Sequence, residues 1–510
     1  MPIRFVRLMA GLVVLPTLLV AQDAAVAPRQ LSLADAINLA RRNSPAYLQA
    51  LNDEGPAAAD VRAAYGALLP SLSSSGGVTY SRAGRQTIAN QVFSRGSSTI
   101  GSSYNLSASM GISYGRLLGP AQSKAQQRAT EENIAAAGVN LVFDVTAQYL
   151  QVLRAQASVQ VAEQQVARNG EFLEQARARF QVGRGDMVEV RQAEVTKARA
   201  DVQLLQAGQL VREAKIELLR RMGLPVPADL DGMMLTEQFA LTRPAFELGA
   251  LQRMARDQNP DLRAADARAD AASIGVRAAK AEYLPSFSVS TGLSGFTQDA
   301  TNVDPLLQGA FASAEAQRDN CEFQNAILVR LTSPHPAPGG GLIADCNAFA
   351  GLNSTGTALD PELEAAIRDN NSNFPFGFQR SPWSISFGVS LPIFDGFSRA
   401  ARVSAARAQE DDAREALRAQ RLLIDGQVQA QVLAVETAWR AAEIADTNRV
   451  AAADQLTLAN ARYRLGSGTA LEVADAQNAV TQSDADYVNA VYDYHIAVVG
   501  LEAAVGRPLR

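Results

Sequence analysis

Apolar and polar residues along this chain follow two rhythms, and the point where one gives way to the other occurs twice. In WSISFGVSLPIFDGF, Trp383, Ile385, Phe387, Val389 and Leu391 alternate with Ser384, Ser386, Gly388 and Ser390. Period two predicts a two-faced strand. The alternation stops at Pro392, which ends a strand ladder, and Asp395 and Gly396 then supply a helix cap and a turn. Leu106, Ala108, Met110, Ile112 and Tyr114 repeat the pattern opposite Ser107, Ser109, Gly111 and Ser113. Phe287, Val289 and Thr291 do so opposite Ser286, Ser288 and Ser290, and a weaker Ser/Gly-rich copy carries Leu72, Val78 and Tyr80. Strands are predicted over about 71–82, 104–115, 286–296 and 383–392.

The second rhythm has a period near 3.5. Val428, Val432, Val435, Trp439 and Ala442 step by 4, 3, 4 and 3, and Val145, Val152, Val159 and Val166 recur every seven, with Val142 and Tyr149 in the alternate seam. Sustained 3-4 spacing predicts coiled-coil packing. No proline lies between Pro120 and Pro225, or between Gly396 and Pro508. Each interval reads as two helices parted by a glycine pair, Gly183 and Gly185 in one, Gly466 and Gly468 in the other. The predicted helices span about 120–182, 186–222, 397–465 and 469–505, with two more, 32–69 and 245–284, ahead of the strands. The helix over 397–465 would be roughly 100 Å long at about 1.5 Å per residue.

The chain is written twice. NSPAYLQA and AAYGALLPSLS, between Asn43 and Ser73, return as QNPDLRAA and AAKAEYLPSFS between Gln258 and Ser288, at an offset of 215. SMGISYGRLLG from Ser109 answers SFGVSLPIFDG from Ser386 at 277, and ARARFQVGRGDMVEV from Ala176 answers ANARYRLGSGTALEV from Ala459 at 283. The jumps of 62 and 6 locate a large insertion between Pro285 and Trp383 and a small one later. The repeats are 30–225 and 245–510, joined by a linker over 226–244.

The first residues change the compartment. Arg4 and Arg7 precede an apolar run from Leu8 to Val20 and then small residues, the pattern of a secretory signal peptide over 1–21, with cleavage after Ala21 or as late as Ala27. The formal charge of −5 becomes −7 without those arginines, which offers no basic surface for nucleic acid. Two histidines, His335 and His495, and two cysteines are the whole stock of such ligands, and they assemble no catalytic, cofactor or metal constellation. The expectation is an exported protein that is not an enzyme.

In an exported chain the strands acquire a specific meaning. About ten residues with one apolar face and one of Ser and Gly match transmembrane β-strands. Four strands cannot close a channel, and open edges cannot exist in lipid, so several chains must pool their strands.

With these features assembled, the sequence resembles the TolC family of outer-membrane efflux proteins over nearly the whole mature chain. The resemblance is carried by the duplication, LPIFDGF (Leu391 to Phe397), ALLPSLS, YLPSFS and RYRLGSGTALEVADAQNA (Arg462 to Ala479). It implies a mainly α fold with membrane β: a homotrimer whose twelve-stranded barrel, four strands per chain, is continued by a periplasmic α-helical barrel. It also implies docking of a periplasmic adaptor and an inner-membrane pump of RND or ABC type, with passive conduction of their cargo. At the periplasmic tip it assigns an acidic ring to Glu472 and Asp475, three apart on one helix face, and coil-to-coil contacts to Tyr463 and Glu189 beside Gly466 and Gly183. Gly468 stands where the family carries a basic residue; Arg184 or Arg464 substitutes for it, or hydrogen bonds close the tip instead.

The inserted segment, 298–380, is expected to cap the barrel outside the cell, with Cys321 and Cys346 joined by a disulfide as befits an exported pair. Phe374, Phe376, Phe378 and Trp383 read either as an aromatic girdle or as residues buried within the loop. Two other classes compete with a channel: a periplasmic coiled-coil adaptor without its own pore, and a soluble periplasmic enzyme or binding protein.

Overall fold

The computed structural model describes residues 30–88, 91–95, 97–237, 239–243, 245–330, 342–343 and 345–509; the signal-peptide assignment and His335 lie outside them. In chain order the elements are β1 (Gln30–Leu31), α1 (Leu33–Asn43), α2 (Pro45–Asn52), α3 (Glu54–Gly66), β2 (Ser71–Ser81), β3 (Gly84–Ile88), β4 (Gln91–Arg95) and β5 (Thr99–Ile112). Then follow α4 (Tyr114–Gln181), α5 (Met187–Met222), β6 (Met234–Leu235), α6 (Leu248–Gln258), α7 (Pro260–Ala281) and β7 (Ser286–Ala300). The chain ends with α8 (Asp304–Arg330), α9 (Cys346–Ala350), α10 (Pro361–Asp369), β8 (Gln379–Arg380), β9 (Ser384–Ser390), α11 (Ser398–Leu465) and α12 (Ala470–Val505). The described residues form two compact units: a helical one within 30–62, 120–276 and 404–509, and a strand-bearing one within 63–119 and 277–403. No described helix is long and apolar enough to cross a membrane.

The helical unit shows the duplication in its packing. Leu141, Val145, Val152, Leu218 and Met222 are buried with Ala36 and Ala40 in one core cluster. Residues 283 further on, Ile424, Val428, Val435, Leu501 and Val505, are buried with Leu251 and Ala255 in another. Gly223 and Gly506 end α5 and α12 in the left-handed conformation, at φ +73° and +88°, the usual close of a helix. A Cβ on Gly223 would stand 2.2 Å from the Asn43 carbonyl oxygen; on Gly506 the nearest atom would be 3.1 Å away. The packing departs from symmetry where Lys215 takes the place of Val498. Its stem is buried and Nζ donates to the Leu230 carbonyl at 2.9 Å.

Several predicted boundaries are corrected. The single helix over 32–69 is three, because Ser44 is extended ahead of Pro45 and α2 stops at Asp53, as a residue before proline prefers. The helix over 245–284 likewise breaks at Asn259, ahead of Pro260, where Asn259 Oδ1 accepts from the Asp261 and Leu262 amides. Pro120 is not a boundary: α4 already starts at Tyr114, its opening turn bonded to Ser113. The adjoining strand therefore covers 99–112 where 104–115 was predicted. The hairpin of β3 and β4 was not predicted, since its short strands carry no apolar row. The segment 226–244 is fastened at several points: β6 pairs in parallel with β1, Arg212 pairs with Asp231 at 3.0 Å, and the Leu33 amide donates to Glu237.

In the strand-bearing unit the ladder order is β2-β5-β7, with β8 and then β9 on the far side of β7, every pairing antiparallel. The six-residue jump between repeats falls at the strand-to-helix joint, where Ser113 alone separates β5 from α4 while Leu391 to Phe397 separate β9 from α11. The insertion is a small folded body and not an irregular loop. Ala314, Ala350, Leu352 and Leu359 form its core, and a disulfide joins Cys321 to Cys346.

Candidate functional site

Two places concentrate the unusual chemistry: the paired helix turns of the helical unit and the two faces of the sheet. The turns are built alike. Arg179, Phe180, Gly183, Asp186 and Glu189 correspond, 283 positions on, to Arg462, Tyr463, Gly466, Thr469 and Glu472. Gly183 and Gly466 are left-handed at φ +70° and +79°, which a glycine adopts without Cβ strain. Their amides donate to the Phe180 and Tyr463 carbonyls at 3.0 and 3.1 Å. Asp186 then caps α5 through the Val188 amide, and Thr469 caps α12 through the Glu472 amide.

The symmetry breaks at the aromatic position. Tyr463 is 1 % exposed and Phe180 is 40 % exposed. Tyr463 packs with Phe172, ring centroids 5.6 Å apart, among Leu173, Ala176, Val190, Ala193, Val473 and Ala476. Its hydroxyl donates to Glu189 Oε2 at 3.2 Å. Burial foremost, then the Glu189 charge, raises its pKa above the ordinary 10.0, so the hydroxyl stays a donor.

The cation at this turn is Arg179. Its guanidinium carbon lies 4.1 Å from the Tyr463 ring centroid, and its Nη1 donates to the Tyr463 carbonyl. Such a contact contributes about 0.5–2 kcal/mol, more as water is excluded. Arg184 and Arg464, named as substitutes from the sequence, are exposed and their side chains make no bond among the described residues. Arg462, the counterpart of Arg179, turns instead to Glu472, at 3.5 Å. Asp475, one helical turn beyond Glu472, is exposed and makes no side-chain bond among the described residues.

The sheet sorts its side chains by face. On one face lie Leu72, Leu106, Met110, Phe287, Val289, Leu293, Phe387 and Val389, a row that stays open to the surroundings. The opposite face is Ser71, Ser73, Ser107, Ser109, Ser288, Ser290, Ser386 and Gly388, with cross-strand hydroxyl pairs such as Ser73 with Ser107 at 2.8 Å. Among the described residues β2 pairs only with β5 and β9 only with β7, so both outer edges keep unmatched backbone groups.

At the joint below β9, Gly396 and Phe397 are both left-handed, φ +65° and +66°; Phe397, predicted as helical, instead completes the turn. Asp395 Oδ2 accepts from Ser398 Oγ at 2.6 Å and from the Arg399 amide at 3.0 Å, closing the start of α11. Arg399 runs back to donate to the Pro392 carbonyl at 2.6 Å and lies over the Tyr283 ring. Among the described residues no group of three His, Cys, Asp or Glu is placed to hold a metal ion.

Comparison with known proteins agrees on one kind of molecule. Residues 36–224 and 347–507 match the pattern of the outer membrane efflux protein family. Outer membrane protein TolC of Vibrio cholerae is 26% identical over 268 residues, which is 51% of this chain and 57% of that relative, under two thirds of its length. The outer-membrane channel OprN superposes with a TM-score of 0.67 at 16% identity, over 93% of this chain and 90% of the other. VceC, an outer membrane protein of Vibrio cholerae, gives 0.67 at 16%, over 94% and 97%. Those two share the fold.

Proposed function

The chain belongs to the outer membrane efflux protein family, a family of outer-membrane channels of TolC type, and on that premise we propose that three copies assemble into one conduit for exported cargo. Each copy contributes β2, β5, β7 and β9 to a twelve-stranded barrel, and its helices to a tube on the periplasmic side. An adaptor and an inner-membrane pump of RND or ABC type deliver the cargo, and the conduit itself adds no energy.

One observation carries this reading: a sheet with a largely apolar face open to its surroundings and two edges unmatched among the described residues. In lipid every backbone donor and acceptor must be satisfied, and closure onto neighbouring copies satisfies both edges at once. The Ser/Gly face then lines the interior, where short hydroxyl side chains leave room and hold water.

The turns supply the periplasmic end. Tyr463, Glu189 and Arg179 hold two coils of one chain together, and three Asp475 and three Glu472 would converge near the axis and favour cations there. The reading is tested by extracting the mature protein in detergent and running it unheated and heated on a gel. A trimer that dissociates on heating, and that forms channels in planar bilayers, is the expected result; a detergent-free monomer overturns it.

A further inference from the structure

The insertion returns to the sheet through residues Asn371 to Phe378, and the face it chooses is informative. Asn371 exchanges two hydrogen bonds with the Ala300 backbone, at 2.7 and 2.9 Å. The Phe374 amide donates to Asp299 Oδ2 at 2.6 Å, Ser102 Oγ donates to the Pro375 carbonyl at 2.6 Å, and the Tyr104 and Phe378 rings meet edge to face at 4.8 Å. In the register of β5 with β7, Ser102 stands opposite Thr297, Tyr104 opposite Gly295, and Leu106 opposite Leu293. The covered positions therefore continue the apolar row of Leu106, Met110, Phe287, Val289 and Leu293. On that side Gly295, Thr297 and Asp299 are buried, while on the other side of the same strands Ser103, Phe296 and Gln298 stay exposed.

From these contacts we infer that residues 371–378 are an external strap, lying on the lipid side of the barrel wall at the level of the outer-leaflet headgroups, with Phe376 entering the headgroup–acyl boundary. This rests on the lipid-facing assignment made above. From Ser286 to Ser294 strand β7 climbs eight positions, about 27 Å of extended backbone. Tilted by about 40°, it rises about 20 Å, most of the roughly 25 Å apolar band of an outer-membrane barrel. The strap begins near the top of that band. Uncovered, Ser102, Thr297 and Asp299 would set hydroxyls and a carboxylate on the membrane side of the wall; the strap backbone bonds Ser102 Oγ and Asp299 Oδ2 and covers Thr297, whose hydroxyl pairs with Ser102. A tight turn, closed by the Gly377 amide on the Asn373 carbonyl, leaves Phe376 83 % exposed on a segment whose other side is occupied by the sheet. It therefore points away from the wall. Aromatic side chains at this height prefer the interface, and the exposed Trp383 sits beside the strap's return to β9.

The test uses the full mature trimer with Trp383→Phe and Trp439→Phe, so that one introduced tryptophan reports alone. It is placed at Phe376→Trp or, as the reference for lipid exposure of the wall, at Phe387→Trp, both exposed aromatic positions where the exchange leaves packing intact. Each is reconstituted in phosphatidylcholine vesicles brominated either near the carbonyl end or near the middle of the acyl chains. The expected result is quenching of Phe376→Trp at least two-fold stronger by the shallow bromines, and of Phe387→Trp by the deep ones. If Phe387→Trp is quenched while Phe376→Trp responds only to aqueous iodide, the strap is not at the membrane and the inference fails alone. If neither responds to bromolipid, the lipid-facing reading fails and takes the strap with it.

Discussion

The Tyr463 hydroxyl and the Glu189 carboxylate meet at 3.2 Å across two coils, whereas their counterparts, Phe180 and Glu472, have no such bond to make, because Phe180 lacks the hydroxyl. The duplication built two like turns, and one atom distinguishes the fastened from the free.

Removing that atom should loosen the tip. Tyr463→Phe gives up a hydrogen bond to a charged group, about 1.5–3 kcal/mol, and is expected to raise single-channel conductance in planar bilayers several-fold. Arg179→Ala, which removes both the ring contact and the link to the Tyr463 carbonyl, should raise it further. Conductance equal to that of the unmodified channel in both variants would show that this contact does not restrain the pore.

The two acidic residues should not act equally. Glu472 has Arg462 at 3.5 Å to offset its charge, and Asp475 has no such partner among the described residues. Asp475→Ala is therefore expected to weaken block by divalent cations more than Glu472→Ala does, with the double variant weakest of all. Block titrations with magnesium in bilayers check the order; undiminished block in the double variant removes both residues from the mouth.

Gly223 and Gly506 predict unequal damage at equivalent places. Alanine in the left-handed region costs about 1 kcal/mol at either position. Gly223→Ala adds a Cβ 2.2 Å from a carbonyl oxygen that belongs to backbone, while Gly506→Ala has 3.1 Å. Thermal denaturation should show a larger loss for Gly223→Ala, by about 2 kcal/mol or more, because the first clash requires main-chain movement.

Glu217 gives the helical unit an acid-sensitive clasp. Hydrogen bonds from Arg220 first, then Arg221, lower its pKa from 4.5 to about 2. A folded pKa below the unfolded one means stabilisation that is full above pH about 4.5 and drains away as pH falls towards 2. Solvent reaches this cluster, so the contribution is about 1 kcal/mol and not the full value implied by the shift. Glu217→Gln should melt lower than the unmodified protein at pH 7 and alike at pH 2.

How much of this was legible depended on whether the cause was local. The glycine turns and the 283-residue offset could be read because Gly183 and Gly466 sit in matching strings, and the buried pairs Val145 with Val428 and Met222 with Val505 follow the same arithmetic. The breaks at Ser44 and Asn259 are marked in the sequence by the aligned Pro45 and Pro260, because the conformational cost falls on the residue before the proline. Arg179 could not be found, because Arg462 occupies the same local motif and only packing between α4 and α11 decides which arginine lies over Tyr463. The strap was hidden for a related reason: Ser102, Asp299 and Pro375 meet across more than 70 residues of sequence.

The insertion leaves and re-enters along a single strand, β7, which pairs with both β8 and β9. Its two ends are thus already neighbours before any residue between them is chosen. Lengthening such a connection from a few residues to about eighty raises the entropy of closure by only about 3 kcal/mol. That makes the β7–β9 link a grafting point: a whole module can be exchanged there, by evolution or by an engineer displaying an epitope, without re-registering the strands beneath it.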